Sequence, residues 1–137
     1  MNTKTNELVP LLEVADIKQS VSFYVDALGF TMENEWRPDG VLRWCQVRLG
    51  GVAFMLQLPP HDKPVEGTRG AGVSFCVMCD DAIAFYDLLR EKKVSVKEPI
   101  VGNALWVTSV TDPDGYSIDF ESPTEVAEET RLSEWRD

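Results

Sequence analysis

The chain repeats one order of elements, and that repeat restricts its fold more than any other feature. Leu8 to Val14 is a short apolar run bounded by polar residues and reads as a buried strand. Asp16 follows as a helix cap. Ile17, Val21, Tyr24, Val25 and Leu28 then recur at three- and four-residue spacing, so a helix is predicted over 17–28, with Gly29 placed to end it. Three strand-like runs come next: Phe30 to Arg37, Val41 to Leu49 and Val52 to Leu58. Pro38-Asp39-Gly40 and Gly50-Gly51 are the turns between them. The second half begins again with a strand, Val73 to Met78. Asp80 or Asp81 then caps a helix to about Lys92, with Ala82, Phe85, Leu88 and Leu89 inward. Val94 to Lys97, Leu105 to Thr111 and Tyr116 to Glu121 are the strand candidates that follow. Asp112-Pro113-Asp114-Gly115 has the Pro and Gly positions a type I turn prefers. Phe23-Tyr24 recurs 62 residues on as Phe85-Tyr86, and Gly51 recurs 64 residues on as Gly115, so one small indel reconciles the halves. Each half is a βαβββ unit, and the chain reads as a tandem duplication within a single domain. The first module covers about 8–58, a Pro-rich linker about 59–70 and the second module about 71–122.

The tail reads separately. Ser122-Pro123-Thr124-Glu125 has the pattern of a capping box with Pro at the first helical position, which predicts a C-terminal helix over about 123–136. Val126, Leu132 and Trp135 are its apolar residues. Trp135 either packs with the helix across a sheet edge or a dimer partner, or closes one end of a ligand site.

Composition narrows the class of function. The 137 residues carry 13 Lys plus Arg against 23 Asp plus Glu, a formal net charge of −10. That balance argues against tracking nucleic-acid phosphates and against docking on an anionic membrane. No apolar run reaches the roughly 20 residues that span a bilayer, and the first residues, Met1 to Glu7, contain no apolar h-region, so a cytoplasmic location is expected. Three cysteines, Cys45, Cys76 and Cys79, make a poor disulfide framework. Cys76 and Cys79 form a C-x-x-C, but three residues apart on a strand they face opposite sides, and no second pair completes a zinc site. Both are expected to be small buried apolar residues.

Three stretches carry a resemblance. Val9-Pro10-Leu11-Leu12-Glu13-Val14-Ala15-Asp16 with Ser20 to Tyr24 and Leu28-Gly29-Phe30, then Gly50 to Leu56, then Thr111 to Phe120 resemble the vicinal oxygen chelate superfamily. That group contains glyoxalase I, bleomycin resistance proteins, fosfomycin resistance enzymes and extradiol dioxygenases. The resemblance covers about residues 8–122, with D-P-D-G-Y its most specific piece. It implies an α+β fold of tandem βαβββ modules forming a curved eight-stranded mixed-sheet cup, with helices on the convex side. It also implies a homodimer, with modules pairing within or between chains.

Metal-dependent members of that superfamily draw ligands, usually His, Glu or Gln, from the first and last strand of each module. Carried over by motif, those positions fall at Val9, Met55, Gly72 (or Val73 with a one-residue slip) and Asp119, of which only Asp119 binds a hard or borderline cation. A two-residue slip offers Gln57 and Glu121 beside Asp119, with Glu13 at the mouth of the first strand. That oxygen-only set suits Mg²⁺ or Mn²⁺ better than Zn²⁺. The one His, His61, sits in the linker; a Ser-His-acid triad would have to use it, and no nucleophile turn accompanies it.

Strand parity turns Val9, Leu11, Met55, Gln57, Ser74, Cys76, Asp119 and Glu121 toward the implied cup, provided no bulge shifts the register. Asp119 and Glu121 share a face, either as an acid pair or bridged to an Arg such as Arg43 or Arg48. Trp36, Trp44, Trp106 and Phe54 lie on or beside cup-forming strands. An apolar, Trp-lined surface with a few carboxylates suits a planar or cationic organic molecule. The expected ligand-binding set is therefore Trp36, Trp44, Met55, Gln57, Ser74, Trp106, Asp119 and Glu121. The expected function is metal-free binding of a small molecule, as in bleomycin resistance, with no cofactor. The alternatives are a metal-dependent glyoxalase-like lyase, isomerase or dioxygenase with an atypical oxygen-ligand site, and an inactive structural or regulatory partner.

Overall fold

The computed structural model describes residues 1–60, 63 and 67–136, which divide into two compact units, Met1–Glu66 and Gly67–Asp137. In the first unit, β1 (Leu11–Glu13) leads into α1 (Ile17–Val21). The Asp16 carboxylate accepts the Gln19 N–H at 3.1 Å and so satisfies one free donor at the helix start. The helix then widens into a π turn over Ser22–Ala27, in which the Leu28 N–H reaches the Phe23 carbonyl at 3.0 Å. Gly29 leaves it at φ +87°, a conformation that costs glycine little. Strands β2 (Thr31–Trp36), β3 (Trp44–Leu49) and β4 (Val52–Gln57) follow, with sheet order β1-β4-β3-β2. β1 runs parallel to β4, and the other pairs are antiparallel.

The second unit repeats this plan. Strand β5 (Ser74–Met78), helix α2 (Ala82–Glu91) and strands β6 (Ile100–Gly102), β7 (Leu105–Thr111) and β8 (Ser117–Pro123) form a sheet of order β5-β8-β7-β6. Asp81 is the helix cap, accepting from Ala84 N–H at 3.0 Å. The helix start is pinned to the sheet from both sides of one residue: Ala82 N–H donates to Ser122 Oγ and Thr108 Oγ1 donates to the Ala82 carbonyl. In the D-P-D-G turn, Asp112 Oδ1 accepts from both Asp114 N–H and Tyr116 N–H at 2.9 Å. Arg69 pairs with Asp114 at 2.9 Å. Gly70 lies so close that a Cβ there would stand 2.5 Å from the Gly115 carbonyl oxygen. The duplication is therefore real at the level of topology: two α+β units, each a four-stranded mixed sheet with one parallel pair.

Alternation gives each sheet one core face. In the first unit Leu12, Val14, Val47, Phe54 and Leu56 are buried with Tyr24 and Phe30, whose rings stand 5.6 Å apart and within 6 Å of Phe54. In the second, Val77, Trp106, Thr108, Val110, Ile118 and Phe120 are buried, and Phe85 of α2 stacks on Phe120 at 4.2 Å. Each sheet carries its helix on this face, so the residues between the buried ones form the opposite, open face.

Two expected elements are corrected. The strand expected at Val94–Lys97 forms instead at Ile100–Gly102, paired with Leu105–Val107. Lys93 at φ +61° ends α2 with a turn, and Lys97 N–H makes one bond to Ser109 before Pro99, which has no N–H to offer a ladder. The tail helix expected over 123–136 is four residues, Leu132–Trp135. Ser122 and Pro123 are instead drawn into β8 opposite Trp106 and Leu105, and Thr124 N–H bonds Ala104. The ladder outcompetes the local capping pattern. Among the described residues no helix is long and apolar enough to cross a membrane.

Candidate functional site

The register sorts the open face of the first sheet into rows. Glu13, Gln57, Trp44 and Trp36 are successive cross-strand partners and form one row. Leu11, Met55, Gln46 and Asn34 form the next. Trp36 is 58% exposed and Trp44 is half-buried, so two indoles stand side by side with a neutral amide and a carboxylate. A third row is closed by a polar network. Arg48 Nη1 meets Glu7 at 2.7 Å, Arg48 Nε meets Glu33 at 3.0 Å, and Gln46 Nε2 donates to Glu33 as well. The Arg48 guanidinium holds both carboxyls below their usual range. Glu33 takes part because it sits at a register break between Met32 and Asn34 in β2, a bulge of the kind that re-aims a side chain.

The open face of the second sheet has the same rows with different chemistry. Met78, Glu121, Val107 and Ile100 are successive partners, and Cys76, Asp119 and Ser109 are the next set. Asp119 stands where the first unit has Met55, and Glu121 where it has Gln57. Ser74 and Ser117 pair one row further on. Two carboxylates thus share a half-exposed wall. Arg48 pairs with Glu7 and Glu33, and Arg43 donates to the Pro59 carbonyl at 2.7 Å. The Cys76 thiol reports the field of the acid pair. It is pushed up by desolvation first, then by the charge and hydrogen bond of Glu121 and the charge of Asp119.

Trp106 is not a surface residue. It is 4% exposed on the core face, packed with Ala82, Val101 and Leu132, with the Trp135 ring 5.4 Å away. It alternates with Val107 and Leu105, which face the open side, so parity places it beneath the sheet. Trp135 accordingly packs on the core side and is no closure of the open face. Phe54 is likewise core. The cysteines split: Cys45 is buried, and burial pushes its thiol up to about 11 with help from Glu35, whereas Cys76 is exposed on the open face. Val107, Ile100 and Met78 were not anticipated, although the parity rule that found Asp119 applies equally to β7. His61 lies outside the described residues.

The donor chemistry can be tested against a divalent ion. Leu11 pairs with Met55 as Cys76 pairs with Asp119, so the equivalent of Val9 is Ser74, which corrects Gly72 or Val73. The positions then hold a branched alkane, a thioether, a hydroxyl and one carboxylate. Among the described residues no three His, Cys, Asp or Glu side chains gather as a metal site requires. This set does not fit a hard or borderline cation.

The model of the Glyoxalase/Bleomycin resistance protein/Dioxygenase superfamily matches residues 8–120. An antibiotic-binding protein from Streptomyces sp. CB03234 is similar in structure, with TM-score 0.72 and 21% identity over 90% of this chain and 100% of that one. A glyoxalase/bleomycin resistance protein from the same organism gives 0.66 and 22%, covering 84% and 98%. A superfamily member from Sphaerobacter thermophilus gives 0.68 and 23%, covering 88% and 99%. No curated protein matches the chain in sequence.

Proposed function

The chain belongs to the glyoxalase/bleomycin resistance protein/dioxygenase superfamily, and from that premise we propose that it binds a small cationic or aromatic organic molecule without a metal ion and acts by holding it. The observation that carries this reading is the chemistry of the two open faces. One offers an indole pair, Trp36 and Trp44, beside Met55 and Gln57. The other offers Ser74 and the carboxylates Asp119 and Glu121. Indole faces and half-desolvated carboxylates both favour a cation over an anion. The structural neighbour described as antibiotic-binding supports the same class of role. Titration with a cationic aromatic amine and with an anionic aromatic of equal size, read by tryptophan fluorescence, tests it. The amine is expected to bind more tightly, and an equal or greater affinity for the anion refutes the reading.

Metal independence has its own test. Val9, Met55 and Ser74 supply no hard donor, so the enzyme alternative would rest on the oxygen ligands Gln57, Asp119 and Glu121. Purified protein is therefore expected to carry well under one equivalent of transition metal, and a chelator should leave its melting temperature unchanged. Stoichiometric, tightly held metal would reassign the site.

A homodimer completes the proposal. β1 and β2 end one sheet and β5 ends the other, whose β6 edge is bonded to the tail at Glu129 to Arg131, and Leu11, Trp36, Met78 and Ile100 leave large apolar surfaces exposed. Light scattering at micromolar concentration should give twice the 15.4 kDa chain mass. A monodisperse single-chain mass would defeat it.

A further inference from the structure

Arg48 is built as a receptor for a carboxylate. Its Nε edge is fixed by Glu33, at 3.0 and 3.1 Å to the two oxygens, and Glu33 is itself held by Gln46. That leaves the Nη1 and Nη2 edge presented in one orientation, and a planar guanidinium edge held this way matches a carboxylate two bonds at a time. The occupant of that edge is Glu7, with Nη1 to Oε1 at 2.7 Å and Nη2 to Oε2 at 3.0 Å. Glu7 lies 41 residues away in sequence, on an exposed arm that precedes the bond from Met55 N–H to the Pro10 carbonyl. The location is the open side: Arg48 shares the parity of Trp44 and Gln46. Its Cα partner Ala53, on the same side, is only 3% exposed.

We propose that Arg48 is a carboxylate-binding subsite on the open face of the first sheet, and that the chain's own Glu7 fills it as an intramolecular stand-in. The N-terminal arm is thus an autoinhibitory strap over one end of that face, and a small molecule bearing a carboxylate displaces it. Displacement is within reach because the tie is a half-exposed ion pair, a class of contact that contributes little and weakens with salt. Glu33 stays on Nε throughout, so the exchange replaces one carboxylate by another at the Nη edge and leaves the charge of the network unchanged. The inference rests on the open face being the ligand-facing side, and it adds an anionic subsite distinct from the acid pair of the second unit.

The test uses the full chain, with benzoate as the probe, at low ionic strength. In Glu7→Ala, benzoate should bind about fivefold more tightly than in the unaltered protein, because the intramolecular competitor for the Nη edge is gone. Amide resonances of residues 1–8 should sharpen as the arm comes free. The double variant Glu7→Ala with Arg48→Gln should lose that gain entirely. Both residues lie outside the core, and a melting curve checks that each variant is folded. Benzoate binding equally to Glu7→Ala and to the unaltered protein overturns the proposal, as does full retention of the gain in the double variant. Either result leaves the amine-binding reading to its own tests, the comparison of amine and anion on the unaltered protein and the paired change of Asp119 and Glu121 to their amides.

Discussion

Replacing Trp106 with Ala should cost about 3–5 kcal/mol of stability, the range for deleting a buried Trp or Phe side chain, while replacing Trp44 should cost far less. The two residues are near neighbours in type and in expectation, and the structure separates them by one residue of strand parity. Trp106 is enclosed by Ala82, Val101 and Leu132, with Ile83, Tyr86 and Val126 packed around that cluster. Truncation opens a cavity bounded by α2, β6 and the tail, and the Trp135 ring at 5.4 Å loses its partner as well. For a domain whose whole margin is roughly 5–15 kcal/mol, this lowers the melting temperature by about 10 °C or more. Trp44 is half-buried on the open face, so its loss should lower the melting temperature less than that of Trp106 and remove a cation–π contribution of about 0.5–2 kcal/mol from ligand binding. Thermal denaturation followed by circular dichroism, with titrations kept well below the transition, measures both. A Trp106→Ala protein that melts like the original yet fails to bind would return Trp106 to the binding surface.

That contrast also shows what was legible in the sequence. Caps and turns were, because their chemistry is local. Asp16 and Asp81 satisfy N–H groups three residues on, Gly29 takes a positive φ, and D-P-D-G folds its own backbone onto Asp112. The acid pair was legible too, since two carboxylates at alternate positions of a strand share a face whatever their partners are. What was hidden depends on partners distant in the chain. The alternation in Val94–Lys97 looks like a strand, yet the edge pairing falls to Ile100–Gly102, and only the position of β7 decides it. The Ser122-Pro123-Thr124-Glu125 pattern looks like a capping box, yet Ser122 caps a different helix: its Oγ accepts from Ala82 N–H, 40 residues earlier in the chain. Residue type alone puts Trp106 on the binding surface, whereas parity with Thr108 and Val110 buries it. The bulge at Glu33 carries no glycine to announce it, and the pairing of Glu7 with Arg48 spans 41 residues.

Changing Asp119 to Asn and Glu121 to Gln together should weaken a cationic aromatic ligand by roughly tenfold and leave the fold intact. Each lost charge contact on a half-exposed wall is worth at most about 1 kcal/mol, and tenfold in affinity corresponds to about 1.4 kcal/mol for the pair. The wall is suited to that effect for three reasons. Asp119 and Glu121 alternate with Ile118 and Phe120, which are fully buried, so the acids are held on a rigid strand in the middle of the sheet. Their neighbours on the same face, Cys76, Ser109 and Val107, are uncharged. The Cys76 thiol beside them is pushed up by desolvation first and then by the charges of Glu121 and Asp119. Because the amides keep the size of the side chains and part of their hydrogen-bonding capacity, the melting temperature should hold, which separates loss of charge from loss of structure. The affinity of the unaltered protein for the cation should fall as salt is raised, and that of the double variant should fall less, since screening acts on the charges removed. Calorimetric titration at two ionic strengths reads all of this in one series. A double variant that binds the amine as well as the original, with the same salt dependence, would leave the acids without a role in recognition and make the indole pair of the first sheet the surface to pursue.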